Sequence, residues 1–253
     1  MTPQAFPVVH AVTDSGAVLH GNFLERASGI MRALGPRGAL HLRSSRASAK
    51  QLHELATLLS LVQKSTGCWL IVNDRVDIAA AVGARGAQLA SHSLAIAEAR
   101  IVAPDLPLGA SIHSVAEALK AESEGASWCV AGTVFETPSH VGRAPARIEF
   151  IEQVAAAVKI PIIAIGGITP EDVAALRRAG AYGVATIRGA DWDRGHGASA
   201  DEDKLMRTRL PVTTDAGFAE PVTRYISAYD SESGSDRDDH PDGERVTPGA
   251  GAE

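Results

Sequence analysis

Glycines follow the last two apolar runs of the sequence, where they could bind a phosphate group. Gly166 and Gly167 come directly after Ile160–Ile165, and Gly189 ends the next run. Because glycine has no Cβ, its backbone N–H can approach an anion closely, and Arg188 beside Gly189 adds a positive charge. A glycine turn that only reverses the chain is the alternative interpretation. The pattern predicts a phosphate site formed by Gly166, Gly167, Arg188 and Gly189.

Histidine and arginine side chains at the ends of earlier runs could transfer protons and bind a second anionic group. His41 and Arg43 alternate on the second run, so their side chains point to the same side. An inward arginine is costly without an anionic partner, which favours ligand binding there over a plain ion pair. His113 follows the fifth run, where it is either a proton-transfer group or a solvated loop histidine.

Other polar residues follow the runs at positions where a ligand could contact them. Asn73 and Asp74 end the third run, although both are also good turn and cap residues. After the sixth run, residues 132–140 combine hydroxyls, a carboxylate and an imidazole, a composition that suits a ligand-binding loop or an ordinary loop. The further candidates for substrate binding are Asn73, Ser111, Thr137, Ser139 and His140.

The elements that would position these residues alternate between short β-branched runs and longer helical patterns, which is typical of a parallel α/β fold. Eight such units in this length favour a (β/α)8 TIM barrel over an open doubly wound sheet, whose glycine fingerprint after the first strand is missing. The predicted strands are Val8–Thr13, Ala39–Arg43, Trp69–Asn73, Ala87–Leu89, Leu108–Ser111, Trp128–Gly132, Ile160–Ile165 and Gly183–Ile187. The predicted helices are Asn22–Leu34, Ala47–Ser65, Val76–Val82, Leu94–Val102, Ser114–Glu124, Ile148–Val158 and Pro170–Ala179.

The last helix of the barrel is displaced along the chain. Apolar residues recur at helical spacing over Phe218–Tyr229, which we interpret as the closing helix of a barrel domain over residues 1–230. Residues 190–217 then form an irregular insertion before that helix. Residues 231–253 are rich in Ser, Gly, Asp and Pro and cannot bury much apolar surface, so we expect a disordered acidic C-terminal tail.

Composition limits the remaining function classes. The net charge of −6 and the lack of clustered Lys or Arg argue against a nucleic-acid partner. Cys68 and Cys129 are far apart with no metal-like or redox-like spacing, which favours two buried thiols in a reducing compartment. No stretch is apolar for long enough to span a membrane, so we expect a cytoplasmic protein. The oligomeric state stays open, a homo-oligomer included.

Five motifs in order resemble the thiamine phosphate synthase/TenI superfamily. They are His10-Ala11-Val12-Thr13-Asp14, Asn73-Asp74-Arg75-Val76-Asp77-Ile78-Ala79, Ser111-Ile112-His113-Ser114, Gly132-Thr133-Val134-Phe135-Glu136-Thr137 and Ala164-Ile165-Gly166-Gly167-Ile168. The likeness extends from about Val8 to Gly189. It implies a (β/α)8 barrel that acts in thiamine biosynthesis and binds a small phosphorylated thiazole.

The synthase branch joins an aminopyrimidine diphosphate to the thiazole phosphate, releases pyrophosphate and needs Mg²⁺. This sequence keeps the arginine of the synthase pattern as Arg43. Two lysines of that pattern are replaced here, one by Ser45 and the other by His140. Of its two metal carboxylates, Asp74 is present and the other position is Ser93. The resemblance therefore implies Mg²⁺ on Asp74, with Glu136 as a second candidate ligand, if this chain is a synthase.

The TenI branch resembles thiazole tautomerases, which aromatise a thiazole carboxylate phosphate by proton transfer and without a cofactor. The catalytic histidine of that branch aligns with Thr133. Our leading hypothesis is a TenI-like tautomerase in which Arg43 pairs with the substrate carboxylate and His41 or His113 transfers the proton. A divergent synthase and a non-catalytic sensor of phosphate ligands are the alternatives.

Overall fold

The chain forms a closed barrel of eight parallel strands, as the sequence predicts. A computed structural model describes residues 5–137, 145–190, 192 and 220–231. Neighbouring strands pair in chain order, and β8 pairs with β1 to close the barrel. The strands are β1 Val9–Val12, β2 Gly38–Leu42, β3 Trp69–Asn73, β4 Gly86–Leu89, β5 Leu108–Ile112, β6 Trp128–Gly132, β7 Ile162–Ile165 and β8 Gly183–Thr186.

Helices cover the outside of the barrel and bury their apolar faces against the strands. Side-chain caps define several of their first turns: Ser48 and Gln51 form a capping box at α3, and Ser114 caps α6. The helices are α1 Ser15–Val18, α2 Phe23–Leu34, α3 Ala49–Thr66, α4 Val76–Val82, α5 Ile96–Val102, α6 Val115–Ser123, α7 Arg147–Ala157, α8 Val173–Arg178 and α9 Glu220–Ser231.

The predicted elements agree with the observed ones to within two residues at most ends. The largest difference is at α8, because Pro170–Asp172 forms a separate 3-10 turn before the helix. Thr169 and Asp172 nevertheless define the start of this turn: the Thr169 N–H and hydroxyl donate to the Asp172 carboxylate at 2.8 and 2.9 Å. Among the α-helices of the described residues, the one that the sequence analysis misses is α1, a single turn capped by Asp14.

Aromatic rings fill the amino-terminal end of the barrel. The Phe6 ring lies 5.2 to 5.7 Å from the rings of Trp69, Trp128, Tyr182 and His10, measured between centroids. Tyr182 also donates a hydrogen bond from its hydroxyl to the Phe6 carbonyl. This cluster, the Phe6 cluster, closes the end of the barrel opposite the carboxyl ends of the strands.

Several predicted features lie outside the described residues. Ser139 and His140 are among them, as are the acidic segment after Ser231 and all of the predicted insertion except Ala190 and Trp192. Within the part of the chain that the structure describes, no helix combines the length and the apolar composition that a bilayer crossing requires.

Candidate active site

Two adjoining cavities open at the carboxyl ends of the strands, where barrel enzymes place their active sites. The smaller, of about 440 Å³, lies at the ends of β7 and β8, and the larger, of about 790 Å³, extends from β1 across to β6. Both are lined by the same short wall, which consists of Thr133, Ile165, Ala185, Ile187 and Arg188. The arrangement provides two compartments at one opening.

The glycine pair after β7 lines the smaller cavity, and close packing explains both residues. Gly166 and Gly167 have φ angles of +106° and +67°, which L side chains rarely adopt. A Cβ on Gly166 would lie 2.4 Å from Thr133 Cγ2, and one on Gly167 would lie 2.5 Å from the Glu136 carbonyl oxygen. The described residues supply no acceptor for the Gly167 N–H, so this amide can bind an anion.

The residues after β8 contribute to the same cavity in different ways. The Gly189 N–H donates to Thr186 Oγ1 at 2.9 Å, so that amide is already satisfied within the protein. A Cβ at Gly189 would lie 2.3 Å from the Tyr225 hydroxyl, which explains why glycine stands there. Arg188 is exposed on the shared wall, where its guanidinium adds positive charge to both cavities. The charge of Arg188 and the amide of Gly167 are therefore the stronger phosphate-binding groups.

Besides Thr133 and Arg188 of the shared wall, the larger cavity brings together five of the residues that the sequence analysis singles out. They come from β2, β3 and β5 and the loops that follow these strands, and they are His41, Arg43, Asn73, Ser111 and His113. Gln88, His92 and Trp192 also line this cavity, although the sequence analysis does not select them. Trp192 is held there by a hydrogen bond of 2.8 Å from its indole N–H to the Val12 carbonyl oxygen. The sequence feature that could have identified Trp192 is a single tryptophan in an otherwise polar segment.

The two candidate proton-transfer histidines differ in environment. His113 is exposed, and its Nδ1 lies 2.6 Å from the Gly132 carbonyl oxygen. Because a carbonyl only accepts, Nδ1 carries the hydrogen and Nε2 of the neutral ring keeps a lone pair. His41 is only 2% exposed, and burial, followed by the proximity of His10, holds its pKa well below the ordinary 6.5. His113 is therefore the better placed base, next to Thr133 on the shared wall.

The two predicted carboxylate ligands of Mg²⁺ lie apart in the structure. Asp74 accepts hydrogen bonds from the Ala90 N–H and the Ser93 hydroxyl, and it does not line the larger cavity. Glu136 lines the smaller cavity instead, so the two predicted carboxylate ligands do not come together. Among the residues with described positions, no group of three His, Cys, Asp or Glu side chains could hold a metal ion.

Known proteins share this fold and much of this sequence. The family model of thiamine monophosphate synthase matches residues 9–190. The thiamine-phosphate synthase of Chlorobium luteolum is 43% identical over 161 residues, which cover 62% of this chain and 76% of that protein. That of Pyrococcus abyssi is 38% identical over 153 residues, which cover 60% and 74%.

Among solved structures, the thiamine phosphate pyrophosphorylase from Pyrococcus furiosus superposes with a TM-score of 0.69 at 25% identity. The match covers 88% of this chain and 96% of that one. The family match spans all eight strands and those residues of both cavities that come before residue 190 in the sequence. The chain therefore belongs to the thiamine monophosphate synthase family and is an enzyme of thiamine biosynthesis.

Proposed function

We propose that this enzyme is a thiamine phosphate synthase, which joins a thiazole phosphate to an aminopyrimidine diphosphate and releases pyrophosphate. The observation that carries the proposal is the pair of adjoining cavities, because they offer separate places for two anionic ligands at one opening. The names of the relatives support the same activity. The tautomerase that the sequence analysis ranks first needs only one substrate and becomes the second candidate.

The smaller cavity suits the thiazole phosphate. No described residue of its glycine-lined wall accepts a hydrogen bond from the Gly167 N–H, and the Arg188 guanidinium lies on the wall toward the larger cavity. Guanidinium groups bind phosphate oxygens in a bidentate manner, which fixes orientation as well as affinity. A phosphate held here would leave the thiazole ring directed to the shared wall, where it can meet the second substrate.

The larger cavity suits the aminopyrimidine diphosphate. Arg43 and Arg188 both line it, and the described residues give neither guanidinium a carboxylate partner. In the coupling step the thiazole nitrogen bonds to the carbon that carries the diphosphate, and the C–O bond breaks with its electron pair on pyrophosphate. We assign stabilisation of that leaving group to the guanidinium groups of Arg43 and Arg188, which both line this cavity.

Mixing the two substrates with the protein tests this proposal, with pyrophosphate release and the mass of the product as the measurements. Arg43→Ala should lower the rate by about 100-fold, as expected when a preorganised charge on a leaving group is removed. Arg46→Ala is the matched control, because Arg46 is an exposed arginine of the same loop outside both cavities, and its rate should not change. Absence of pyrophosphate release with the unmodified protein would contradict the proposal.

Thiazole tautomerisation is the second candidate, and the position of His113 favours it. The ring presents a free Nε2 beside the wall between the cavities, which is the geometry of a general base. Conversion of the non-aromatic thiazole carboxylate phosphate, with no aminopyrimidine diphosphate present, is the distinguishing assay. Turnover that falls by about 100-fold in His113→Gln would establish this activity. No conversion by the unmodified protein would exclude it.

A further inference from the structure

The carboxyl ends of the first two strands are joined by a threonine side chain. The β1–β2 ladder extends one residue past Val12, because the Thr13 N–H donates to the His41 carbonyl oxygen at 3.0 Å. The chain then leaves the sheet for α1, where the Asp14 carboxylate accepts from the Ala17 N–H at 2.7 Å. Beyond this point the Thr13 side chain continues the contact with the second strand in place of the backbone.

Both backbone groups of Arg43 bind to the hydroxyl of Thr13. The Arg43 N–H donates to Thr13 Oγ1 at 2.8 Å, and the Thr13 hydroxyl donates to the Arg43 carbonyl oxygen at 2.8 Å. A hydroxyl has one hydrogen and two lone pairs, so it can form both bonds at once. Arg43 directly follows the last residue of β2, and this two-bond contact fixes its backbone although the strand has ended.

The position of Thr13 allows it to act on a ligand without touching it. Thr13 is fully buried and lines neither cavity, whereas Arg43 has an exposed side chain that lines the larger one. The reach of a long side chain depends on where its Cα lies, and the two bonds hold the backbone on either side of the Arg43 Cα. The placement of the Arg43 guanidinium therefore depends on Thr13.

A second hydroxyl contact, two residues further along both segments, supports the same loop. The Ser45 N–H donates to Ser15 Oγ at 2.9 Å, and the two serine hydroxyls lie 3.0 Å apart. These groups are exposed, so water can replace either partner. The Thr13 hydroxyl is buried, and its removal would leave two backbone groups of Arg43 that must move to find other partners.

We propose that Thr13 is a positioning residue of the synthase reaction, which fixes the backbone of Arg43 so that the guanidinium is held against the diphosphate in the larger cavity. This role rests on the proposed function only in naming the diphosphate as the anion that Arg43 binds. A charge that stabilises a leaving group must be placed before the reaction begins, and a displacement of about 1 Å can lower a rate by about 100-fold.

Hydrogen exchange at the backbone amides of the whole, unliganded protein tests the two-bond contact. Relative to their intrinsic rates, the Arg43 N–H should exchange about 100-fold more slowly than the Ser45 N–H, whose acceptor is exposed. In Thr13→Ser, which keeps the hydroxyl, the Arg43 N–H should stay protected. Equal exchange of the two amides in the unmodified protein would overturn the proposal, whether or not any variant folds.

Thr66→Val is the matched control for Thr13→Val. The Thr66 hydroxyl also forms two backbone bonds, because it donates to the Val62 carbonyl oxygen at 2.8 Å and accepts from the Cys68 N–H at 3.1 Å. Thr66 precedes β3 at the end of the barrel opposite the cavities and lines neither of them. A difference in anion binding between the two variants therefore reports the position of Arg43 and not the loss of a threonine hydroxyl in general.

Calorimetric titration with inorganic pyrophosphate compares the variants without requiring catalysis. Thr13→Val should weaken binding about tenfold, whereas Thr13→Ser and Thr66→Val should bind like the unmodified protein. In an Arg43→Ala background, Thr13→Val should add no further loss, because the group that it positions is absent. Unchanged binding in Thr13→Val, additive losses, or no binding by the unmodified protein would contradict the positioning role.

Kinetics of the coupling reaction separate this role from the proposed function. Thr13→Val should lower kcat about tenfold with the KM for the thiazole phosphate unchanged, and Thr13→Ser should keep the rate of the unmodified enzyme. Equal losses of kcat in Thr13→Val and Thr66→Val would contradict the positioning role. Pyrophosphate binding that depends on Thr13, without any coupling activity, would instead refute only the proposed function.

Discussion

At the scale of single residues, the protonation state of two buried histidines makes the folding stability of this enzyme depend on pH. His10 and His41 are 0% and 2% exposed, and His10 donates from Nε2 to the Pro7 carbonyl oxygen and accepts at Nδ1 from His41 Nε2. A proton added to either ring would replace an acceptor with a donor and place a charge in the barrel interior. The pair therefore stabilises the fold only while both rings are neutral.

The unfolding free energy of the protein should fall on acidification. The unfolded chain binds a proton at His10 below its ordinary pKa of 6.5, whereas the folded protein does not until about pH 4. The stabilisation is thus complete above pH 6.5 and is lost as the pH falls toward 4, with a loss of about 2 kcal/mol between about pH 7 and about pH 5. His41 acts in the same direction.

Urea unfolding at a series of pH values is the measurement for this effect. The slope of stability against pH should be smaller in His10→Phe than in the unmodified protein. Stability that stays constant or rises over the same acid range would show that these rings are protonated in the folded state.

Several site residues could be predicted from the sequence because they lie in or just after the last residues of apolar strands. His41, Arg43, Asn73, Ser111 and His113 all line one cavity for this reason. The interaction of His10 with His41 could not be predicted, because it depends on the register between β1 and β2, which pairs Val12 with His41. The need for glycine at position 189 could not be predicted either. The Tyr225 hydroxyl, which leaves no room for a Cβ there, belongs to a helix 36 positions later in the chain.

At the scale of elements, the interior of the barrel is shaped by one large ring and the glycines that make room for it. Trp128 on β6 is fully buried and points into the barrel, where it packs against β4 and β5. A Cβ on Gly109 would lie 2.2 Å from the Trp128 indole and 2.3 Å from Gln88 Oε1. Glycine in β5 is therefore a packing requirement, and it also protects the hydrogen bond from Trp128 to Gln88.

Gly109→Ala should destabilise the protein by about 1–3 kcal/mol or more, because the added methyl overpacks the interior. Gly21→Ala is the matched control, since a Cβ there would meet no atom within 4 Å, and it should leave stability nearly unchanged. The midpoint of urea denaturation measures both changes. Equal stability of the two variants would mean that the indole moves aside at little cost.

The strands were predictable because each is a short apolar run that must be buried on both faces in a parallel barrel. The first helix was not, because Ser15–Val18 is too short to show a helical period and depends on the Asp14 side chain accepting from the Ala17 N–H at 2.7 Å. Likewise, the proline and capping residues at 169–172 indicate where a helix begins but do not distinguish a 3-10 turn from an α-helical one.

At the scale of the whole molecule, the last helix completes the active site. Tyr225 of α9 is 3% exposed, and its hydroxyl donates to the Ile168 carbonyl oxygen at 2.9 Å on the wall of the smaller cavity. Tyr229, one turn later, donates to the Tyr182 carbonyl oxygen at 3.0 Å, away from both cavities. One helix thus contributes two similar hydrogen bonds, of which one borders the proposed phosphate site.

This pair allows stability to be separated from binding. Tyr225→Phe and Tyr229→Phe should each cost about 1 kcal/mol of unfolding free energy, the usual value for one lost hydrogen bond. Only Tyr225→Phe should also weaken thiazole phosphate binding, because the Ile168 and Thr186 groups that it orders line the smaller cavity. Calorimetric titration of both variants with thiazole phosphate is the comparison. Equal affinities would show that α9 only supports the barrel.

The Phe6 cluster has a consequence for the traffic of reactants. Because these rings fill the amino-terminal end of the barrel, the two cavities share the opposite rim as their route to solvent. A bound molecule that spans both cavities must therefore dissociate before either cavity can be refilled.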